Sequence, residues 1–214
     1  MLKKILIAAA IILALAVLGA VLVGVLVFNK GPDLSKYESL KNPQIAHKSD
    51  QKMLQVEATG DPNTVGMKAF ALLFKTYCQN VKARGMVAPR ARWLKPFETP
   101  VSEWVGLYGL PVPETLDKLA KNPQEAGFAV SLLTWTYGDV AEILHVGPYS
   151  TETPTIEKLK AFIASNGCEI AGPHEEEYLR GPGLFGKGNP DKYYTVIRYQ
   201  VRKAASKIEP KKKK

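Results

Sequence analysis

The sequence predicts an α+β domain of two β-α-β-β half-domains related by a pseudo-twofold axis. Its helices lie on one face of an antiparallel sheet, and one transmembrane helix precedes it. Three observations predict this. A strand, an amphipathic helix and two further strands follow one another twice in the same order between residues 50 and 203. Each first strand runs into a glycine-proline turn, Gly60-Asp61-Pro62 and Gly147-Pro148-Tyr149. Ile5 to Phe28 is an unbroken apolar run.

Residues 1–4 form a short head and residues 5–28 the span. At about 1.5 Å per residue a helix of this length crosses a bilayer with some tilt. A cleaved signal peptide has a shorter apolar region, about 7–15 residues, and a small-x-small cleavage site. This run ends instead in Val25-Leu26-Val27-Phe28, which favours an anchor. Lysines flank both ends, so charge hardly orients the span. The short head favours a cytoplasmic amino terminus and a soluble domain outside the cytoplasm. Residues 29–49 carry Gly31-Pro32 and Asn42-Pro43 without a sustained period and read as a linker.

The domain is assigned to residues 50–203. Its first half opens with a strand over Met53–Ala58 and a helix capped by Asn63 or Thr64 that runs to about Ala83 and stops at Gly85. A strand follows Ala88-Pro89, and Trp104–Val112 closes the half. A short helix at about Pro113–Lys121 and an extra strand at about Phe128–Tyr137 join it to the second half. There a strand over Ala141–Val146 leads to a helix that begins near Thr153 or Thr155 and stops at Gly167. A strand follows Gly172-Pro173, and Tyr193–Val201 closes the half. A glycine just past each helix suits a left-handed cap. Two such halves side by side leave the face opposite the helices as a concave cleft, a favoured ligand position.

Charge narrows the function. The chain carries +9 formally, but the tail from Arg202 to Lys214 accounts for +6 and Lys3 with Lys4 for +2, leaving the body near neutral. That excludes a basic nucleic-acid-binding face. Residues 204–214 are a solvated basic tail or touch anionic lipid. Cys78 and Cys168 are too few for a zinc site; they either pair or remain free thiols. His47, His145 and His174 are widely spaced, so no metal and no cofactor is predicted.

The segments His145-Val146-Gly147-Pro148-Tyr149, Ala171-Gly172-Pro173-His174-Glu175-Glu176-Glu177-Tyr178-Leu179 and Asn189 to Tyr199 resemble the GyrI-like, or AraC-type effector-binding, family. The match covers residues 141–203, while residues 50–137 keep its periodicity with degenerate motifs. Haem-binding SOUL proteins resemble the same fold more distantly. The resemblance implies small-molecule binding in a central cleft around a buried acid, which maps to Glu176.

On a strand Glu176 shares a face with His174, Tyr178 and Arg180, and an acid beside a phenol suits a cationic aromatic ligand. Three adjacent glutamates also read as a solvated edge. Further ligand-binding candidates are Tyr149, Trp104, Tyr108, Trp135 and Arg92; Arg92, as the counterpart of Glu176, would set an ion pair in the cleft. The expected partners are a small hydrophobic or aromatic ligand and the lipid bilayer. The segments outside the domain supply no helix-turn-helix reader, so no nucleic acid is expected, and oligomeric state is open. The expected function is a tethered receptor or scavenger. A hydrolase using Glu176 and Tyr178 and a protein-interaction adaptor are the alternatives. The loop Gly181–Gly188 lacks phosphate-loop spacing and reads as a flap.

Overall fold

A computed structural model describes residues 33–82, 87–182 and 188–205. The chain divides into units of Met1–Lys36 and Tyr37–Lys214, and the strands and α-helices belong to the second. The expected transmembrane run, Gly85, most of the Gly181–Gly188 loop and most of the basic tail lie outside the described residues. Among the described residues no helix is long and apolar enough to cross a membrane.

The strands are β1 Gln44–Lys48, β2 Gln51–Thr59, β3 Arg90–Trp93, β4 Val105–Pro111, β5 Ser131–Trp135, β6 Gly138–Val146, β7 Cys168–Ile170, β8 His174–Arg180 and β9 Tyr194–Lys203. The helices are α1 Pro62–Asn80 and α2 Thr153–Ser165. The sheet is antiparallel in the order β1-β6-β9-β8-β3-β4-β2-β5, with β7 also on β9. It is curled. β1 continues into β2 through Ser49-Asp50, β5 continues into β6 through Thr136-Tyr137, and the two runs pair with each other along both parts.

α1 forms because Gly66, Ala69, Leu73, Thr76 and Tyr77 recur at helical spacing and make one buried stripe. With Leu72, that stripe covers Val56, Tyr108, Ala91 and Leu110; burying each large side chain stabilises the fold by about 1.5–3 kcal/mol. Ile156, Leu159 and Ile163 of α2 cover Ala141, Ile143, Ile197 and Tyr199 in the same way. Cross-strand pairing puts Val56, Tyr108, Ala91, Glu176, Ile197 and Ile143 in one row from β2 to β6. Both helices therefore lie on one face, and Glu176 stands in that row between the parts they cover.

Several expectations are corrected. Residues 29–49 are not all linker: Leu34–Lys41 forms a 3-10 turn with Leu40 buried, and β1 is an edge strand of the sheet. Asp61, not Asn63 or Thr64, caps α1, accepting from the Asn63 N–H at 2.9 Å, because Pro62 takes the first helical turn. α1 ends at Asn80, where Val81 turns extended, whereas Gly167 does adopt the left-handed conformation after α2, with φ +64°. The helix expected at Pro113–Lys121 is irregular; Glu114 and Asp117 turn back to hold the Lys52 ammonium. Cys78 and Cys168 are free thiols.

The face opposite the helices is not an open cleft. It is filled by a row of alternating charge, Arg92–Glu175–Arg198–Glu142, that runs across β3, β8, β9 and β6. Arg92 Nε lies 2.7 Å from Glu175, and Arg198 reaches Glu142 at 2.9 Å, Glu175 at 2.6 Å and Glu177 at 3.0 Å. Tyr137 adds its hydroxyl to Glu175 at 2.9 Å. The register also corrects Arg92: Ala91, not Arg92, is opposite Glu176. A one-residue slip moves a side chain to the other face.

Candidate functional site

β8 is a central strand, so its three glutamates are buried and none forms a solvated edge. Glu176 points to the helix side and is 6% exposed. Its Oε1 accepts from Trp93 Nε1 at 3.1 Å and lies 3.0 Å from His174 Nε2, and its Oε2 accepts from the Tyr178 hydroxyl at 2.5 Å. His174 in turn meets the Tyr199 hydroxyl through Nδ1 at 2.8 Å. Burial pushes the Glu176 carboxyl up, but the hydrogen bond and proximity of His174, then the bonds from Tyr178 and Trp93, outweigh it and hold the group below the usual carboxylate range. Glu176 is thus a buried anion. Among the described residues no lysine or arginine forms an ion pair with it.

Aromatic rings surround this anion. Phe97 meets His174 edge-on at 4.9 Å, Trp93 packs on Trp104 at 5.5 Å and on Tyr108 at 5.8 Å, and Phe70 touches both Tyr108 and Tyr178. Tyr149, 40% exposed, lies over Tyr178 at 5.6 Å and Tyr193 at 5.4 Å. Burial, then the charge of Glu176, raises the Tyr178, Tyr149 and Tyr199 phenols, and Tyr108 to about 12, so all four remain hydrogen-bond donors at neutral pH. The Tyr108 hydroxyl is buried without a partner.

Of the residues singled out from sequence, the fold gathers Glu176, Tyr178, Tyr149, Trp104 and Tyr108 on the helix side. Arg92 and Trp135 lie on the other face, where the guanidinium stacks 4.2 Å over the Trp135 ring and the indole N–H donates to Gln55 at 2.7 Å. Trp93, His174, Phe97 and Glu152 belong to the helix side as well and were not singled out. Trp93 was within reach of sequence reasoning, because Arg90 and Arg92 match Glu177 and Glu175 in charge and so force Ala91 and Trp93 towards Glu176. Among the described residues no group of three His, Cys, Asp or Glu side chains is placed to hold a metal.

No protein-family profile matches the chain, and no curated protein matches it. Solved structures do. An uncharacterized conserved protein from Listeria innocua superposes with a TM-score of 0.67 at 22% identity, covering 79% of this chain and 97% of its own. A hydrolase from Listeria innocua gives 0.60 at 19% identity, covering 79% and 98%. The C-terminal domain of EcmrR gives 0.57 at 11% identity, covering 76% and 98%. At these identities the likeness shows a shared fold, α+β with a curled antiparallel sheet.

Proposed function

We propose that the domain captures a small hydrophobic cation on the helix side of the sheet, with Glu176 as counter-ion. The observation that carries this is the unequal sharing of charge between the two faces. Glu142, Glu175 and Glu177 each have an arginine partner on one face. Glu176, on the other, has hydrogen-bond donors and rings but no lysine or arginine partner among the described residues. Among the described residues its one charged neighbour is the His174 imidazole, 3.0 Å away, and a ligand cation stacked among Tyr149, Tyr178 and Phe97 adds a permanent positive charge beside the buried carboxylate. Tyr149 and Phe97, 40% and 37% exposed, pack on Tyr178 and His174, the side chains bonded to Glu176, so the ligand enters by displacing them. The run at residues 5–28 tethers this site to the bilayer, with the domain outside the cytoplasm. The full chain then stays in the membrane pellet after a carbonate wash, and a chain lacking 5–28 does not.

The test is a thermal-shift comparison of the full chain in detergent with benzyltrimethylammonium and its neutral carbon isostere, neopentylbenzene. At about a hundred times its dissociation constant a ligand stabilises by about 2.7 kcal/mol. The cation is expected to stabilise the wild type and not Glu176→Gln. Equal stabilisation by the neutral isostere, or none by either, removes the proposal. Hydrolysis is the second reading, favoured by the 2.5 Å contact between the Tyr178 hydroxyl and Glu176 and by the fold shared with a Listeria innocua hydrolase. Its weakness is that a carboxyl held below the usual range is a poor general base.

A further inference from the structure

The outer face of α1 breaks the pattern that a surface helix follows. A helix packed on a sheet by one apolar stripe ordinarily turns a charged or polar face to water. α2 does so: Glu157, Lys158 and Lys160 are exposed, and Lys160 pairs with Glu157 at 3.1 Å. On α1 the side away from the sheet is apolar instead. Met67, Ala71, Phe74 and Cys78 recur at helical spacing, so they share one stripe along about 16 Å of helix. All four are exposed, Met67 at 70% and Phe74 at 37%. The stripe lies opposite Ala69, Leu72, Leu73 and Thr76, which are buried. Lys68 and Lys75, each the next residue after Met67 and Phe74, are exposed along one flank of it. α1 contains no Asp or Glu, and its cap Asp61 is turned to the Asn63 N–H.

An apolar stripe flanked by lysines, with no acid on the helix, suits a surface that is both apolar and negative. The boundary between headgroups and acyl chains of an anionic bilayer is such a surface. We propose that α1 docks there by this face, with Met67 and Phe74 entering the boundary and Lys68 and Lys75 meeting the negative headgroups. The proposed tether makes this surface the one at hand: Phe28 and Asp33 are five residues apart, so at most about 18 Å of chain separates them. A second copy of the chain fits less well. An isologous contact sets the patch against itself, and lysine would then face lysine with no carboxylate on the helix to answer it. The docking is independent of the ligand reading and uses the tether only for proximity.

The experiment uses the full chain carrying Cys168→Ser, which leaves Cys78, at the end of the stripe, as the only thiol. Cys78 is labelled with a nitrobenzoxadiazole, whose emission moves to the blue on entering lipid. The labelled chain is reconstituted into vesicles of phosphatidylcholine alone and into vesicles of equal parts phosphatidylcholine and phosphatidylserine. The emission is expected to shift only in the mixed vesicles. Neutralising both lysines, Lys68→Gln with Lys75→Gln, is expected to lower the ratio of docked to undocked label about thirtyfold, since each lysine near an anionic surface contributes about fivefold. Both lysines are exposed, so the double variant keeps its fold. Equal emission in the two vesicle types, or a shift that survives the double variant, overturns the docking. A shift that appears in detergent and grows with protein concentration assigns the face to a second copy and overturns it too. A label left in water in both vesicle types, on a chain that resists a carbonate wash, sinks the docking and keeps the tether. A chain that carbonate strips from mixed vesicles, but whose label shifts before the wash, keeps the docking and loses the tether.

Discussion

Arg198→Met tests the charge row on the face opposite the helices. Arg198 is 3% exposed and touches three carboxylates, Glu142 at 2.9 Å, Glu175 at 2.6 Å and Glu177 at 3.0 Å. Breaking a buried ion pair costs about 3–5 kcal/mol, because the partner is left as an uncompensated charge. Here Arg92 still holds Glu175 and Arg90 lies 3.4 Å from Glu177, so the lower end, about 3 kcal/mol, applies. For a domain of this size about 2–4 °C accompanies each kcal/mol, which gives a fall of about 6–12 °C.

The pH dependence is the sharper part of that prediction. Burial raises Glu177, but Arg90 and Arg198 outweigh it and hold the carboxyl below its ordinary value. Its stabilising contribution is therefore present above the unfolded value of about 4.3 and is lost as pH falls through the lower folded value. Without Arg198 the group takes up its proton at higher pH, so the deficit of the variant shrinks as pH drops from 7 towards 4. Circular-dichroism melts of both proteins at pH 7, 6, 5 and 4 measure it. A deficit below about 1 kcal/mol at pH 7, or one that stays constant with pH, would refute a tightly paired network.

Three other outcomes are expected. Burial, then the charge of Glu176, raises Glu152 to about 9. A raised acid stabilises fully below its unfolded value and loses that contribution as pH rises through the folded one, so urea melts should find Glu152→Gln equal to wild type near pH 4 and more stable at pH 8. Tyr178→Phe removes the 2.5 Å donor from Glu176 and should cost about 1.5–3 kcal/mol, as expected for a bond to a charged group; a cost near zero in chemical denaturation means the contact is not made. Gly106→Ala would place a Cβ 2.8 Å from the buried Tyr108 ring. The ring has no room to withdraw, so a loss of about 1–3 kcal/mol is expected, and an unchanged melting temperature would contradict the packing of β4 under α1.

How much of this was legible in the sequence follows from which forces act locally. The alternation of His174, Glu176 and Tyr178 against Glu175 and Glu177 is a property of the strand itself, and the structure keeps it. Which face carried the helices depends on partners far along the chain, and there the expectation failed. Arg92, offered as the counterpart of Glu176 in the first half, pairs instead with Glu175 on the other face, one residue from Ala91, which pairs with Glu176. β1 escaped because Ile45 and His47 are both exposed on an edge strand, so no apolar alternation marks it. Glu152 reads as an ordinary acid at a helix start, favoured there by the helix dipole, and only the tertiary packing around it reveals that it is buried, 6% exposed.

The two sides of β8 obey opposite rules, and that contrast argues for a function more strongly than either side alone. On one side every glutamate has met a guanidinium, and the strands β3, β8, β9 and β6 are tied in register by alternating charge. On the other side two acids are buried among rings, and the same chain that supplied Arg90, Arg92 and Arg198 to the first side supplies no arginine to the second among the described residues. Glu176 is held as an anion by Trp93, Tyr178 and His174 and not by a guanidinium, while burial and the charge of Glu176 raise Glu152 to about 9 and keep it protonated. On the proposed reading a ligand brings the full positive charge that no lysine or arginine supplies on this side among the described residues; an arginine placed beside Glu176 would leave nothing for such a cation to do.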